Sequence, residues 1–283
     1  MTTGSADPLG AFSAGAFEGT TALVTGGGTG IGRAISLGFA RCGGNVVVAS
    51  RDPAHLEKTA SDIEALGVEC LAHPLNIREV ESVEALRDAV AERFGGIDFL
   101  INNAGGQFPA APGDISDNGW RAVVDLNLNG TWNVISRFAP VLVERGGGAI
   151  VNIVHLFSYE RPAPFAPSGA ARAGVVQLTY TLAHTLGRSG VRVNAVAPGT
   201  IDTLGMQTNE ADVLEELHEL DDFLKRVVRG IPMGRLGEPD EVAAAVLFLC
   251  SPAGRWVNGV SLRVDGGEYG ADTPMEIYPG RSW

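Results

Sequence analysis

Lysine is nearly absent from this 283-residue chain and occurs only at Lys58 and Lys225. Chemistry built on a lysine amine elsewhere is therefore excluded. Positive charge is scarce in general: 21 Lys and Arg face 33 Asp and Glu, for a net charge of −12. That balance argues against nucleic acid as a partner. The three cysteines, Cys42, Cys70 and Cys250, lie far apart and form no C-x-x-C pair. They read as reduced, mostly buried thiols of a cytoplasmic protein, with no metal site built on them. No apolar run reaches membrane-spanning length, so no membrane partner is expected. The first 19 residues are rich in Gly, Ala and Ser and lack a basic region. They read as a flexible arm rather than a signal peptide, leaving one domain over 20–283.

Glycine is plentiful at 38 residues, and 45% of the chain is hydrophobic. Short β-branched runs at 21–24, 45–49, 99–102, 149–153, 191–196 and 261–264 read as strands. Several are apolar almost throughout, as parallel strands covered on both faces should be. Helical patterns at 32–41, 53–66, 80–94, 118–144, 169–186 and 240–249 alternate with them. The alternation predicts a single-domain α/β fold with a doubly wound parallel sheet of the Rossmann type. One stretch, about 203–232, breaks the rhythm. It has no strand pattern and carries Glu210, Asp212, Glu215, Glu216, Glu219, Asp221 and Asp222 on a helical pattern. Its place after a strand's carboxyl end suggests a helical lid over a substrate; a plain solvated helix is the alternative.

Thr25, Gly26, Gly27, Gly28, Thr29, Gly30, Ile31 and Gly32 follow the first strand and open a helix. Glycines at such a turn let the backbone approach a diphosphate, which then meets unpaired N–H groups at the helix amino terminus. An acidic residue near the end of the second strand would select NAD through the ribose 2′-hydroxyl. This chain has Ala49, Ser50 and Arg51 there. Arg51 can pair with a 2′-phosphate and Ser50 can hydrogen-bond to it, with Arg33 as a further candidate; the cofactor expected is NADPH.

Together these segments resemble the short-chain dehydrogenase/reductase family, from about residue 20 to 269. Asn102, Asn103, Ala104 and Gly105 match its structural motif, and Asn127 matches its helix asparagine, which supports a proton-relay water. Pro198 and Gly199, followed by Ile201 and Thr203, match the segment that contacts the nicotinamide carboxamide. Val264, Asp265, Gly266 and Gly267 match the terminal strand. The resemblance implies a homotetramer, paired through the helices starting near Asn118 and Gly169 and through the strand near Val264.

The family's serine–tyrosine–lysine triad should fall at His155, Ser168 and Arg172, and all three residues differ. A serine hydroxyl is too weak an acid to replace the tyrosine, and an arginine does not lose its proton near neutral pH. Members that reduce 2,4-dienoyl-CoA also carry serine at the tyrosine position, but keep the lysine and place a tyrosine where this chain has Phe157. The peroxisomal trans-2-enoyl-CoA reductases are more similar. They share the run from Ser168 to Val175, the run Gly105, Gly106, Gln107, Phe108, and the run Asn76, Ile77, Arg78.

That resemblance implies NADPH-dependent reduction of the conjugated double bond of an acyl thioester, within fatty acid metabolism. Chemistry agrees. Hydride attack on the β-carbon spreads charge into an enolate, which needs hydrogen-bond donors rather than an immediate strong acid. Ser168, Gln107 and Asn127 are candidate donors, with Arg172 on the nicotinamide ribose. His155, as an imidazole able to titrate near neutrality, and Tyr159 share the same segment. Two alternatives stay open: a carbonyl reductase relaying protons through Tyr159 or His155, and a cofactor-binding scaffold that has lost catalysis. The acidic stretch disfavours phosphate-bearing CoA unless Arg226, Arg229 and Arg235 offset it.

Overall fold

The computed structural model describes residues 7–108, 110–155, 165–203 and 217–270, with 217–223 and 270 described by backbone alone. Seven parallel strands form one sheet: β1 (Thr21–Thr25), β2 (Asn45–Ser50), β3 (Cys70–Pro74), β4 (Phe99–Asn102), β5 (Gly148–Ile153), β6 (Val191–Pro198) and β7 (Ser261–Val264). Their order is β3-β2-β1-β4-β5-β6-β7. The doubly wound Rossmann-type sheet expected from the sequence is thus present, and its order reverses between β1 and β4. Ligands bind at such a switch point, outside the strands' carboxyl ends.

Period-two alternation explains why the strands are apolar throughout. In β1, Ala22 and Val24 face one core while Leu23 faces the other. In β2, Val46 and Val48 face the first, Val47 and Ala49 the second. The first core is closed by α1 (Gly30–Arg41), α2 (Pro53–Glu64) and a helix at Pro239–Cys250. The second is closed mainly by α3 (Val80–Phe94) and α5 (Gly130–Glu144), with α6 (Ala166–Leu186) contributing Ala183. Helix α4 (Asp117–Val124) precedes α5, and the acidic segment ends in α7 (Leu217–Gly230), so the helix at Pro239–Cys250 is α8.

Three expectations need correction. Strand β3 has no counterpart in the sequence reading. It is a partly exposed edge strand ending in Pro74, paired only with β2, so it carries neither an apolar run nor β-branched residues. The single helix expected over 118–144 is α4 and α5 joined by a π-helical turn at Asp125–Asn129. The arm expected to be flexible is packed in its described part. Asp7 accepts the Leu9 N–H at 2.9 Å and caps a 3₁₀ turn at Pro8–Ala11. Leu9 and Phe17 are buried at 4% and 2% exposure, and Phe17 lies edge-on to Phe39 (4.8 Å) and Phe99 (5.5 Å). No helix among the described residues is long and apolar enough to cross a membrane.

Candidate active site

The glycine-rich turn runs from the end of β1 into α1. Gly26 has φ +65° and Gly30 has φ +49°, a region open to glycine and strained for other residues. Thr29 stands at the N-cap of α1 without a side-chain cap bond. By contrast, Asp52 caps α2 through Ala54 N–H (2.9 Å) and Ser116 caps α4 through Gly119 N–H (3.1 Å). The start of α1 therefore keeps its N–H groups and its positive pole for a ligand.

Thr25 and Asn103 hold this turn in place. The Thr25 hydroxyl oxygen accepts from Asn103 N–H and Ala104 N–H, each at 3.1 Å. The Asn103 amide donates to the carbonyls of Thr25 (3.0 Å) and Gly26 (3.2 Å). Gly32 has no room for a side chain, because the Gly26 carbonyl and the Asn103 amide fill that space. Thr25, Asn103 and Gly32 thus set the turn's shape through contacts made within the protein.

A cleft of about 340 Å³ opens beside the turn, lined by Gly26, Gly28, Thr29, Ser50, Arg51 and, across from them, Asn76, Ile77, Ala104 and Gly105. These are residues the sequence singled out, and the fold brings them to one place. Their features fit a dinucleotide: an uncapped helix amino terminus, glycine backbone open to close approach, and an exposed Arg51 at the far end. Arg33 is not at that end free for a phosphate. It pairs with Asp62 at 2.6 Å.

Four further residues line the cleft: Asp52, His55, Leu75 and Leu126. Leucines carry no readable mark in a sequence. Asp52 and His55 did, as a helix cap and a first-turn imidazole directly after the second strand.

Across the switch point, β6 delivers Pro198 and Gly199. Gly199 N–H donates to Val264 at 3.0 Å, and a Cβ there would stand 2.8 Å from Asp265 Cα. Ile201 is buried and bridges to Gly237. Thr203 approaches the Gly30 side of the turn, 3.6 Å from where a Cβ would stand. Glu268, 4% exposed, accepts from Thr200 N–H at 2.7 Å and from Thr200 Oγ1 at 2.9 Å.

Ser168 and Arg172 stand one turn apart on the same face of α6, and Ser168 is 2% exposed. Arg172 Nη1 donates to the Ile153 carbonyl at the end of β5. The guanidinium also fills the space beside Gly105, where a Cβ would overlap it. Burial pushes Arg172 down to about 10, so it remains a cation at neutral pH.

His155 departs from expectation. Burial, and then the Arg172 charge, hold it down to about 4. It is neutral at pH 7 and does not titrate near neutrality. Its ring stands edge-on to Phe165 at 6.3 Å.

Asn127 also departs from its expected role as a donor. Both hydrogens of its amide are engaged, by the carbonyls of Gly106 (2.7 Å) and Val123 (2.8 Å), while Oδ1 accepts from Gly106 N–H at 3.3 Å. It shapes the loop that carries Gly105 and Gln107. Gln107 itself is half-buried on that loop. Tyr159, Phe157 and residues 204–216 lie outside the described residues. Arg235 is held bidentately by Glu241 at 2.8 and 2.6 Å, leaving Arg226 and Arg229 as the exposed arginines of α7.

Residues 26–268 match the family model described as "Enoyl-(Acyl carrier protein) reductase". A Caenorhabditis elegans protein named "Probable 2,4-dienoyl-CoA reductase 3" is 37% identical over 262 residues, which cover 90% of this chain and 82% of that protein. The 3-oxoacyl-(acyl-carrier-protein) reductase of Thermotoga maritima is 33% identical over 251 residues, covering 88% and 98%. The crystal structure of a short-chain type dehydrogenase/reductase from Mycobacterium marinum superposes with a TM-score of 0.80 at 29% identity, over 90% of this chain and 97% of that one. Fold, glycine-rich turn and sequence agree: the chain belongs to the short-chain dehydrogenase/reductase family, oxidoreductases that use a nicotinamide cofactor.

Proposed function

We propose that this oxidoreductase uses NADPH to reduce the conjugated carbon–carbon double bond of an acyl thioester. The observation that carries the proposal is the pair Ser168 and Arg172, one helical turn apart beside Gly105 and the end of β5. A hydroxyl and a fixed cation suit an oxyanion better than a ketone in need of a strong acid. Relatives named as dienoyl-CoA reductases add support.

NADPH, bound along the cleft, supplies the hydride. Arg51 and Ser50 take the 2′-phosphate, and the amino terminus of α1 takes the diphosphate. Arg172 holds the nicotinamide ribose. Hydride addition at the β-carbon places negative charge on the thioester oxygen, where Ser168 Oγ and the Gln107 amide donate hydrogen bonds. The neutral His155 is not the acid that protonates the α-carbon; water takes that role. Helix α7 and the segment before it form the lid over the acyl chain.

The protein acts as a homotetramer in the cytoplasm. Trp120, Trp132 and Tyr180, on α4, α5 and α6, are 40–46% exposed and suit burial against a second copy.

The deciding experiment measures NADPH and NADH oxidation with crotonyl-CoA, a longer enoyl-CoA, a β-ketoacyl thioester and a quinone. Turnover of enoyl thioesters with NADPH is expected. Preference for the β-ketoacyl thioester would instead favour carbonyl reduction, the activity in the Thermotoga relative's name. Tight NADPH binding without turnover of any compound would make the chain a scaffold. Arg51→Asp should weaken NADPH by about 1–3 kcal/mol and leave NADH unchanged.

A further inference from the structure

The adenosine end of the cleft carries more charge chemistry than Arg51 alone. Its polar lining there is Ser50, Arg51, Asp52 and His55. His55 sits in the first turn of α2, directly over the glycine-rich turn: a Cβ on Gly28 would stand 3.1 Å from His55 Cβ. His55 Nδ1 is 3.4 Å from Asp52 Oδ2, and both side chains are more than half exposed to the cleft and solvent. Asp52 cannot turn away easily, because its other oxygen caps α2 through Ala54 N–H at 2.9 Å.

The charges around His55 are few. Asp52 and Arg51 stand beside it in the lining. Lys58 follows one turn later on α2, and Asp62 beyond it is held by Arg33 of α1. The glycine-rich turn opposite offers Gly28 and Thr29, with no charge. Across the cleft, the charged neighbours Arg78 and Glu79 are both tied to Asn76.

The lining's net charge therefore depends on the imidazole. With His55 neutral, Arg51 and Asp52 cancel. With His55 protonated, the lining carries one net positive charge, and Asp52 is neutralised by its own neighbour. A phosphate monoester distinguishes strongly between these two states, whereas a ribose 2′-hydroxyl does not. The geometry points to His55 as the residue that sets the preference for a 2′-phosphorylated adenosine and makes that preference fall as pH rises. The inference rests on the NADPH reading and deepens it.

Linkage fixes the sign. If the protonated imidazole favours the phosphate, binding must raise proton occupancy at His55, so NADPH binding takes up protons near neutral pH. Affinity for NADPH then declines on the alkaline side. The 2′-phosphate's own second ionisation, near pH 6, acts in the opposite direction, since a dianion binds a cationic site more tightly. The two effects are thereby separable.

The test measures dissociation constants of NADPH, NADH, 2′,5′-ADP and 5′-AMP on the full chain from about pH 6 to about pH 9 at constant ionic strength. The wild type is compared with His55→Gln and Asp52→Asn, the latter keeping a capping side chain. Wild-type NADPH and 2′,5′-ADP affinity should fall about tenfold across the range, between the worth of an exposed ion pair and that of a charge-assisted hydrogen bond. NADH and 5′-AMP should stay flat. His55→Gln should abolish the decline, and Asp52→Asn should raise alkaline affinity for the phosphorylated ligands. Calorimetry in two buffers of different ionisation enthalpy should show proton uptake in the wild type and none in His55→Gln. NADPH preferred, but with the same pH profile in wild type and His55→Gln, would overturn the role of His55 alone. NADH bound as tightly as NADPH at every pH would overturn the NADPH reading and this inference with it.

Discussion

The carboxylate of Glu268 grips Thr200 at two points, taking its backbone N–H at 2.7 Å and its hydroxyl at 2.9 Å. Through this clasp the turn after β7 fixes the segment that leaves β6 toward the cleft. Gly199 lies beneath it, with no space for a side chain. Glu268→Ala would leave a nearly buried N–H without its acceptor, at a cost of about 1–3 kcal/mol. Thr200→Val, which removes only the hydroxyl, should cost about 1 kcal/mol. Urea midpoints measure both. A loss in Thr200→Val equal to that in Glu268→Ala would mean the backbone contact contributes nothing.

Gly105 offers a second test of the site's packing. Gly105→Ala drives a methyl into the Arg172 guanidinium and to 2.7 Å from Asn127 Oδ1. The expected loss is about 1–3 kcal/mol in stability, with weaker NADPH binding because the same residue lines the cleft. Gly113→Ala is the control, since a Cβ there meets nothing within 4 Å. Both variants should be followed by thermal unfolding and by titration with NADPH.

His155 predicts a pH dependence of stability. Its folded value, about 4, lies below the ordinary value of about 6.5. Between those limits the unfolded chain binds a proton that the folded chain refuses. Stability therefore falls as pH drops through this window and is unaffected above it. The loss approaches about 3 kcal/mol near pH 4. His155→Gln should flatten that part of the profile in urea titrations at pH 7 and at about pH 4.5. An unchanged slope in the variant would assign the acid sensitivity elsewhere.

Ser168 and Arg172 should separate by what they lose. Ser168→Ala is expected to slow enoyl reduction by about 10- to 1,000-fold with NADPH affinity intact, as for a removed oxyanion donor. Arg172→Ala should lose affinity as well as rate. The double change Ser168→Tyr with Arg172→Lys restores the family's usual pair, yet His155 still stands where the third member belongs. Little ketone reduction is expected from it. Full activity in Ser168→Ala would direct attention to Gln107.

Phe17 tests the correction to the amino-terminal segment. Its ring meets Phe39 and Phe99, so Phe17→Ala should destabilise by about 3–5 kcal/mol. A flexible arm would show no effect in thermal unfolding. The sequence concealed this packing because Leu9, Phe12 and Phe17 follow neither helical nor strand spacing among small residues.

The same physics sorts what else could be read. Strands such as Asn45–Ser50 are buried on both faces and announce themselves as apolar runs. Cys70–Pro74, open on one edge, does not. The cofactor cleft was legible because glycines and Arg51 have few other reasons to stand where they do. The engagement of Asn127 and the neutrality of His155 were not, since both follow from contacts across the chain: Gly106 for the one, burial beside Arg172 for the other.

The π-helical turn at Asp125–Asn129 has a consequence for how this gene tolerates change. The turn holds one residue more than an α-helix needs, and that residue sets the rotational phase of everything after it. Loss of a single codon within 125–129 would let α4 and α5 fuse into one regular helix, turned by about 100° from that point on. Val134, Ile135, Phe138 and Leu142 would swing out of the core together. Here an in-frame deletion of one residue is a graver lesion than most substitutions, because it misaligns a whole face rather than one side chain.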